Sequence, residues 1–194
     1  MFKLINTFNG KYTLLNANND ETFKKFINEQ KREIIRIYTD GSCLGNNTKN
    51  KKRKAGIGVY WGKNDPRNIS KPLPEEYKKT NNVAELVAIS HALDGIKNEE
   101  CKDSDYHIYS DSKYSINSIV ERVLIWKRNN WKRNNGGNIK NLELIKDIYF
   151  KYIKLSKKYV IRFYYVEAHT NNDDINSLGN KEADELAKAG ASRS

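Results

Sequence analysis

Two short segments of the chain nearly repeat each other: Ile37-Tyr38-Thr39-Asp40-Gly41-Ser42 and Ile108-Tyr109-Ser110-Asp111-Ser112-Lys113. Each passes from β-branched and aromatic residues into turn formers, which predicts a strand that stops at an aspartate. If the two strands are parallel neighbours, Asp40 and Asp111 emerge side by side at their C-terminal ends, where open α/β sheets build their sites. A lone Asp at a strand end is commonly a turn former or a helix N-cap, and the matched pair argues for more. Glu85 falls in helical register with Ile89, Ala92, Leu93 and Ile96, so an acid lies on or beside an apolar stripe. Buried there it would need a partner; the plainer alternative is an acid that fringes the stripe in solvent. Asp184, within Asn180-Lys181-Glu182-Ala183-Asp184-Glu185-Leu186-Ala187, reads by itself as a surface acid. Four carboxylates brought together would repel one another and call for a cation, and hard oxygen ligands suit magnesium or manganese. A pair of such ions about 3.5–4 Å apart can activate water and stabilise the leaving oxygen of a phosphodiester.

A second chemistry lies in the cations. Of 194 residues, 35 are Lys or Arg against 24 Asp or Glu, a formal net charge of +11. Residues 112–160 hold twelve of those cations and only three acids, Glu121, Glu143 and Asp147. Within that stretch, Trp126-Lys127-Arg128-Asn129-Asn130-Trp131-Lys132-Arg133 interleaves basic pairs with indoles. Phosphate neutralisation combined with aromatic contact is a physical recipe for nucleic-acid binding, whereas a solvated helix face is the bland alternative. Lys49 to Lys54 adds five cations in six positions, readable as a groove-binding loop, a solvated loop or a nuclear signal. A basic protein with an acidic centre is consistent if metal ions offset the carboxylates while lysines hold phosphates.

The elements that would position these residues follow from pattern. Strands are predicted at 34–38, 55–62, 68–73, 106–109 and 160–168, and helices at 81–96, 112–127, 141–156 and 180–189. Three early strands followed by alternating helices and strands predict an α/β fold, a mixed five-stranded sheet flanked by helices. Residues 1–33 form an unassigned N-terminal extension in which Glu21–Phe26 could begin a helix, and 34–194 form one domain. Hydrophobic residues make up 38 %, with 12 Tyr, 6 Phe and 3 Trp to fill a core, and mean hydropathy is −0.84. No run approaches the ~18 apolar residues of a membrane span, and Met1–Asn6 lacks the apolar region of a secretory signal. Cys43 and Cys101 cannot make a disulfide framework or a Cys-rich zinc site, which fits a reducing, intracellular compartment, cytoplasm or nucleus. No membrane partner is expected, and the chain is expected to act as a monomer.

In their order, these motifs resemble those of the type 1 ribonuclease H family, from about Ile35 to Ala191. They are Tyr38-Thr39-Asp40-Gly41-Ser42, Thr80-Asn81-Asn82-Val83-Ala84-Glu85-Leu86, Tyr109-Ser110-Asp111-Ser112, the basic Trp126–Arg133 stretch, His169, and Gly179 to Ala187. The strand at Ala55–Trp61 is similar to the cellular eukaryotic form, and the basic protrusion near 122–140 argues against the retroviral version. The resemblance implies a ribonuclease H-like fold and endonucleolytic hydrolysis of the RNA strand of RNA/DNA hybrids by two metal ions, Mg2+ with Mn2+ as substitute. It implies 3′-hydroxyl and 5′-phosphate ends. It places Asp40, Glu85, Asp111 and Asp184 as metal ligands and His169 as a loop histidine for proton transfer or product release. It places Asn46, Asn81 and Asn82 at the minor groove of the hybrid, and Thr80, Asn141 and Lys78 at a DNA-strand phosphate. Tyr114 and Trp126 would line the DNA channel, with Lys127, Arg128 and Lys132 on its basic protrusion. Three departures stand out: Lys78 where an Arg is usual, Arg122 where a Trp is frequent, and a long loop at Thr170–Leu178 whose Asp173 and Asp174 are either solvated acids or a transient metal contact. Residues 1–33 do not resemble the hybrid-binding domain that the eukaryotic form often carries. A DNA-cutting enzyme of the same superfold, or a binding module without activity, are the rival readings.

Overall fold

The computed structural model describes residues 2–6, 12–16, 32–45, 53–98, 104–167 and 174–194, the first two stretches as backbone. Contacts divide the chain into two compact units, Met1–Glu33 and Ile34–Ser194. The first contains a hairpin that the sequence does not announce, β1 (Phe2–Asn6) antiparallel to β2 (Tyr12–Asn16), with Leu4 opposite Leu14. The possible helix at Glu21–Phe26 lies outside the described residues.

The second unit is a five-stranded mixed sheet. It comprises β3 (Glu33–Leu44), β4 (Lys54–Tyr60), β5 (Ile69–Pro72), β6 (Ser104–Ser110) and β7 (Val160–Tyr165), in the order β5-β4-β3-β6-β7. β3, β4 and β5 are antiparallel, and β6 and β7 are parallel. β3 and β6 run the same way: Tyr38 stacks on Tyr109, and two residues further along both chains Asp40 meets Asp111. The helices are α1 (Asn81–Lys97), α2 (Lys113–Asn117), α3 (Val123–Arg128), α4 (Leu142–Leu155) and α5 (Ile175–Ser192).

α1 is the central helix. It packs on the sheet and on α4, so residues Val83 to Ser90 are all buried rather than one stripe of them. Its alanines at 84, 88 and 92 allow the close approach, while Leu86, Ile89, Leu93 and Ile96 fill the core with Ile37, Tyr106 and Ile108 of the sheet. Among the described residues no helix is long and apolar enough to cross a membrane.

Four expectations change. β3 does not stop at Thr39: Thr39-Asp40-Gly41-Ser42 continues in register with Val59 to Gly56 of β4, because an antiparallel ladder satisfies the backbone that turn residues would otherwise fold back. Asp40 therefore sits inside a strand, while Asp111 does lie just past the end of one. The helix predicted at 112–127 is interrupted by a π-helical turn at Ser118–Arg122 between α2 and α3. β7 ends at Tyr165 rather than 168, since no described partner continues its ladder past Ser110–Tyr165. α5 begins five residues early, at Ile175, because Asp174 caps it through Asn176 N and Ser177 N.

Candidate active site

Asp40, Glu85 and Asp111 place one carboxylate oxygen each within 4.8 Å of the others. Asp40 comes from mid-β3, Asp111 from the turn after β6, and Glu85 from the second turn of α1. Gly41 admits the third of these. A Cβ at that position would overlap the backbone of Ala84 and Glu85, so only glycine lets the N-terminal turns of α1 lie against β3. The helix is started by Thr80, whose Oγ1 accepts from the Val83 N–H at 3.3 Å. Glu85 is only 9 % exposed, and its Oε2 is buried with no hydrogen-bond partner. The solvent-fringe reading of Glu85 is thus corrected: the packing of α1 on two sides leaves it almost wholly buried.

The electrostatics match a site built for a cation. Burial, then the neighbouring Asp111 charge, push Asp40 up from its ordinary 3.8 to about 7. Glu85 is pushed well above its usual range by burial, then by Asp40 and Asp111, with the Ser110 hydroxyl drawing it partly back. Like charges this close cannot all ionise in a low-dielectric pocket without a counter-ion. An orphaned buried carboxylate oxygen and three converging hard donors fit a divalent cation bound by oxygen.

Asp184 arrives by a different route. Asp40 pairs with Gly58 across the β3–β4 ladder, and a Cβ on Gly58 would run into the Ala183 carbonyl of α5. The missing side chain seats α5 directly on the strand beside Asp40, so that the Asp184 carboxyl raises the Asp40 pKa further. Asp184 is held by Lys188 one helical turn on, at 2.7 Å, and is not one of the three converging carboxylates. The Lys188 ammonium is pushed up by the Asp184 hydrogen bond, and Asp40 contributes to the same shift. An Asp followed by Lys four residues later is the signal that could have shown this pairing in the sequence. Asn180, quoted in the motif without a role, donates from Nδ2 to Asp111 Oδ2 at 3.2 Å. His169 and Asn46 lie outside the described residues, as do Asp173 and Lys49 to Lys52. Asp174 is described and is a helix cap, its carboxyl held below the usual range by Ser177 and not directed at the cluster.

The substrate-contact expectations divide in the same way. Asn81 and Asn82 are exposed on the first turn of α1, beside the capping Thr80 and an exposed Lys78. Asn141 donates to the Tyr114 hydroxyl at 3.0 Å, which in turn donates to the Lys140 carbonyl at 3.2 Å. Tyr114 and Trp126 line a cleft of about 610 Å³ together with Arg122, Arg133, Asn134 and Lys140. Lys127, Arg128 and Lys132 are exposed but do not line it. Lys127 turns toward Tyr149 of α4, with Nζ 5.4 Å from the ring centre. Trp131 also faces α4, against Tyr149 and Phe150, and Lys146 lies over it. The basic, indole-rich segment is therefore split: Trp126 faces the cleft and Trp131 anchors the protrusion to the body.

Comparison with known proteins agrees with this arrangement. The family model for RNase H matches residues 32–192. The chain is 39 % identical over 173 residues to the ribonuclease H of Schizosaccharomyces pombe, covering 89 % of this chain and 58 % of that protein. It is 37 % identical over 154 residues to the ribonuclease H of Clostridium botulinum, covering 77 % of this chain and 95 % of that one. Its fold matches the solution structure of the PFV RNase H domain with a TM-score of 0.63 at 24 % identity, over 82 % of this chain and 94 % of that domain. The chain spans little more than half the length of the fission-yeast protein. With the family's residue range matched almost from end to end of the second unit, the chain belongs to the ribonuclease H family.

Proposed function

We propose that residues 34–194 form a ribonuclease H catalytic domain, an endonuclease that hydrolyses the RNA strand of RNA/DNA hybrids to leave 3′-hydroxyl and 5′-phosphate ends. The observation that carries this reading is the convergence of Asp40, Glu85 and Asp111 within 4.8 Å, with a buried, unpartnered Glu85 oxygen, in a protein of net charge +11. A non-enzymatic binder gains nothing from acids clustered to face phosphates.

Asp40, Glu85 and Asp111 would hold the cations, with Asp184 completing the set once Lys188 gives way. Two divalent ions held there, Mg2+ or Mn2+ in its place, supply activation of water and stabilisation of the leaving oxygen. The protein's own residues do the rest. Glu85 sits at the α1 terminus whose exposed Asn81 and Asn82 can reach base edges and 2′-hydroxyls, and the 2′-hydroxyl is what separates RNA from DNA. Asn46 joins them in this reading. Thr80, Lys78 and Asn141 take a phosphate of the DNA strand. Tyr114 and Trp126 offer stacking surfaces in the cleft while Arg122, Arg133 and Lys140 neutralise phosphates along it, and Lys127, Arg128 and Lys132 extend the field outward. His169 moves a proton near the leaving oxygen, a role suited to a side chain that titrates near neutrality.

Labelled RNA/DNA, RNA/RNA and DNA/DNA duplexes incubated with magnesium, manganese or EDTA test this. Only the RNA strand of the hybrid is cut, and only with a divalent cation; cutting of DNA/DNA, or of the hybrid in EDTA, would overturn the reading. Asp111→Asn abolishes turnover while hybrid binding persists, measured by cleavage rate and by fluorescence anisotropy.

A further inference from the structure

The cluster has a neighbour that no part of the proposed function uses. Asn180 is 6 % exposed, and its Nδ2 donates to Asp111 Oδ2 at 3.2 Å. Its Oδ1 is buried with no hydrogen-bond partner among the described residues. An amide with one end satisfied and the other orphaned is costly, and folding tolerates it where the satisfied end does something specific. The donor is the amide NH2: Nδ2 donates and the Asp111 Oδ2 accepts, which turns Oδ1 away from the carboxyl.

The position of Asn180 is fixed from three sides. Asp174 caps α5 immediately before it. The Tyr38 hydroxyl donates to Asn176 Oδ1 at 3.0 Å, tying the first turn of α5 to β3. The ring of Tyr38 occupies the space that a Cβ on Gly179 would need, so the helix rests on that ring one residue before Asn180. Tyr38 stacks on Tyr109 with centroids 5.0 Å apart and planes 22° apart. These two tyrosines stand two residues before Asp40 and Asp111 on the same face of the sheet. One aromatic pair thus supports both carboxylate-bearing strands and the helical turn that carries the amide.

Asp111 needs such a hold. It stands past the end of β6, outside the ladder that ends at Ser110, and no described Lys or Arg pairs with it, whereas Asp40 is fixed within β3 and Glu85 within α1. We infer that Asn180 is a positioning residue: its Nδ2 fixes the Asp111 carboxylate in the rotamer that faces Asp40 and Glu85, and so sets the affinity of the cluster for its cation. The inference rests on the metal-centre reading above. Hydrogen-bond partners of this kind change metal affinity 10- to 100-fold when removed.

Isothermal titration of the full chain with MgCl2, without nucleic acid, tests it, alongside thermal unfolding in EDTA and in magnesium. Asn180→Ala removes the donor and leaves a cavity; Asn180→Leu removes the donor and the orphaned oxygen while keeping the volume. Both variants bind magnesium about 10-fold more weakly than the parent, although their unfolding temperatures in EDTA differ from each other. Unchanged affinity in the leucine variant overturns the inference, because affinity would then follow packing and not the donor. A parent chain that shows neither binding heat nor magnesium-dependent stabilisation overturns the metal-centre reading itself, and a binding parent with an equally binding Asn180→Leu overturns only the role of Asn180.

Discussion

Asp40 shows how a single buried residue ties stability to function. Its carboxyl holds a proton up to about pH 7 in the folded chain but releases it near its ordinary 3.8 when unfolded. Between those values the folded state binds more protons than the unfolded one, so stability falls as pH rises through that window. Below it the acid is neutral in both states and costs nothing, and above it the full cost of a buried charge is present. Asp40→Asn abolishes the titration at the same shape. Urea denaturation in EDTA is expected to show the variant gaining on the parent from about pH 4 to pH 7, by about 2–4 kcal/mol, with a plateau beyond. Magnesium at pH 8 removes most of that difference, because a bound cation replaces the missing proton. A parent that instead gains stability over this window would mean that Asp40 is held charged by a fixed partner.

At the scale of elements, the glycines decide how closely helix and strand approach, and with it which acids meet. Gly41→Ala drives a Cβ into the backbone of Glu85, which no rotamer change can relieve, so the cost is expected to exceed the usual ~1–3 kcal/mol of overpacking. Gly58→Ala strains the seat of α5 and with it the approach of Asp184 to Asp40. Chemical denaturation and magnesium titration of the two variants separate these effects: the first loses stability and Glu85 together, while the second leaves Asp40, Glu85 and Asp111 converged. Neither requirement was legible in the sequence, where both glycines read as turn or small-residue positions. What was legible is local: the apolar periodicity of Asn81–Ile96, and the turn at Ser110-Asp111-Ser112, where Ser112 caps α2. Thr39 to Ser42 misled because the ladder with β4, whose partners lie fourteen to twenty residues away, overrides turn propensity. The first turn of α5 was hidden by Asn176, Ser177 and Gly179, poor helix formers whose cost is offset by the Asp174 cap. The four carboxylates could be named from their motifs, and the spacing of four could have paired Lys188 with Asp184, yet Asn180 on Asp111 depends on which face α5 presents, which no motif states.

Over the whole molecule, the net charge of +11 matters less than its placement. The acids converge where β3, β6 and α1 meet, while Arg122, Arg133 and Lys140 line a separate cleft with Tyr114 and Trp126. Beyond a Debye length of about 8 Å at physiological salt, exposed charges no longer act on one another strongly. A cation that contacts a phosphate directly releases a counter-ion and adds about 0.7–0.9 to the salt slope of binding, whereas a distant one adds almost nothing. α4 runs from Leu142, next to the Asn141 that bonds Tyr114, to Leu155, so exposed Lys154 stands about 18 Å along the helix from the cleft end and exposed Lys157 lies in the turn just past its far end. Arg133→Ala/Lys140→Ala and Lys154→Ala/Lys157→Ala remove the same net charge from these two places. Hybrid binding measured by anisotropy from 50 to 300 mM KCl is expected to lose nearly two contacts of slope in the first pair and little in the second. Equal slopes in the two pairs would show that the chain attracts nucleic acid through its overall charge, and the cleft would then have no part in holding the strand.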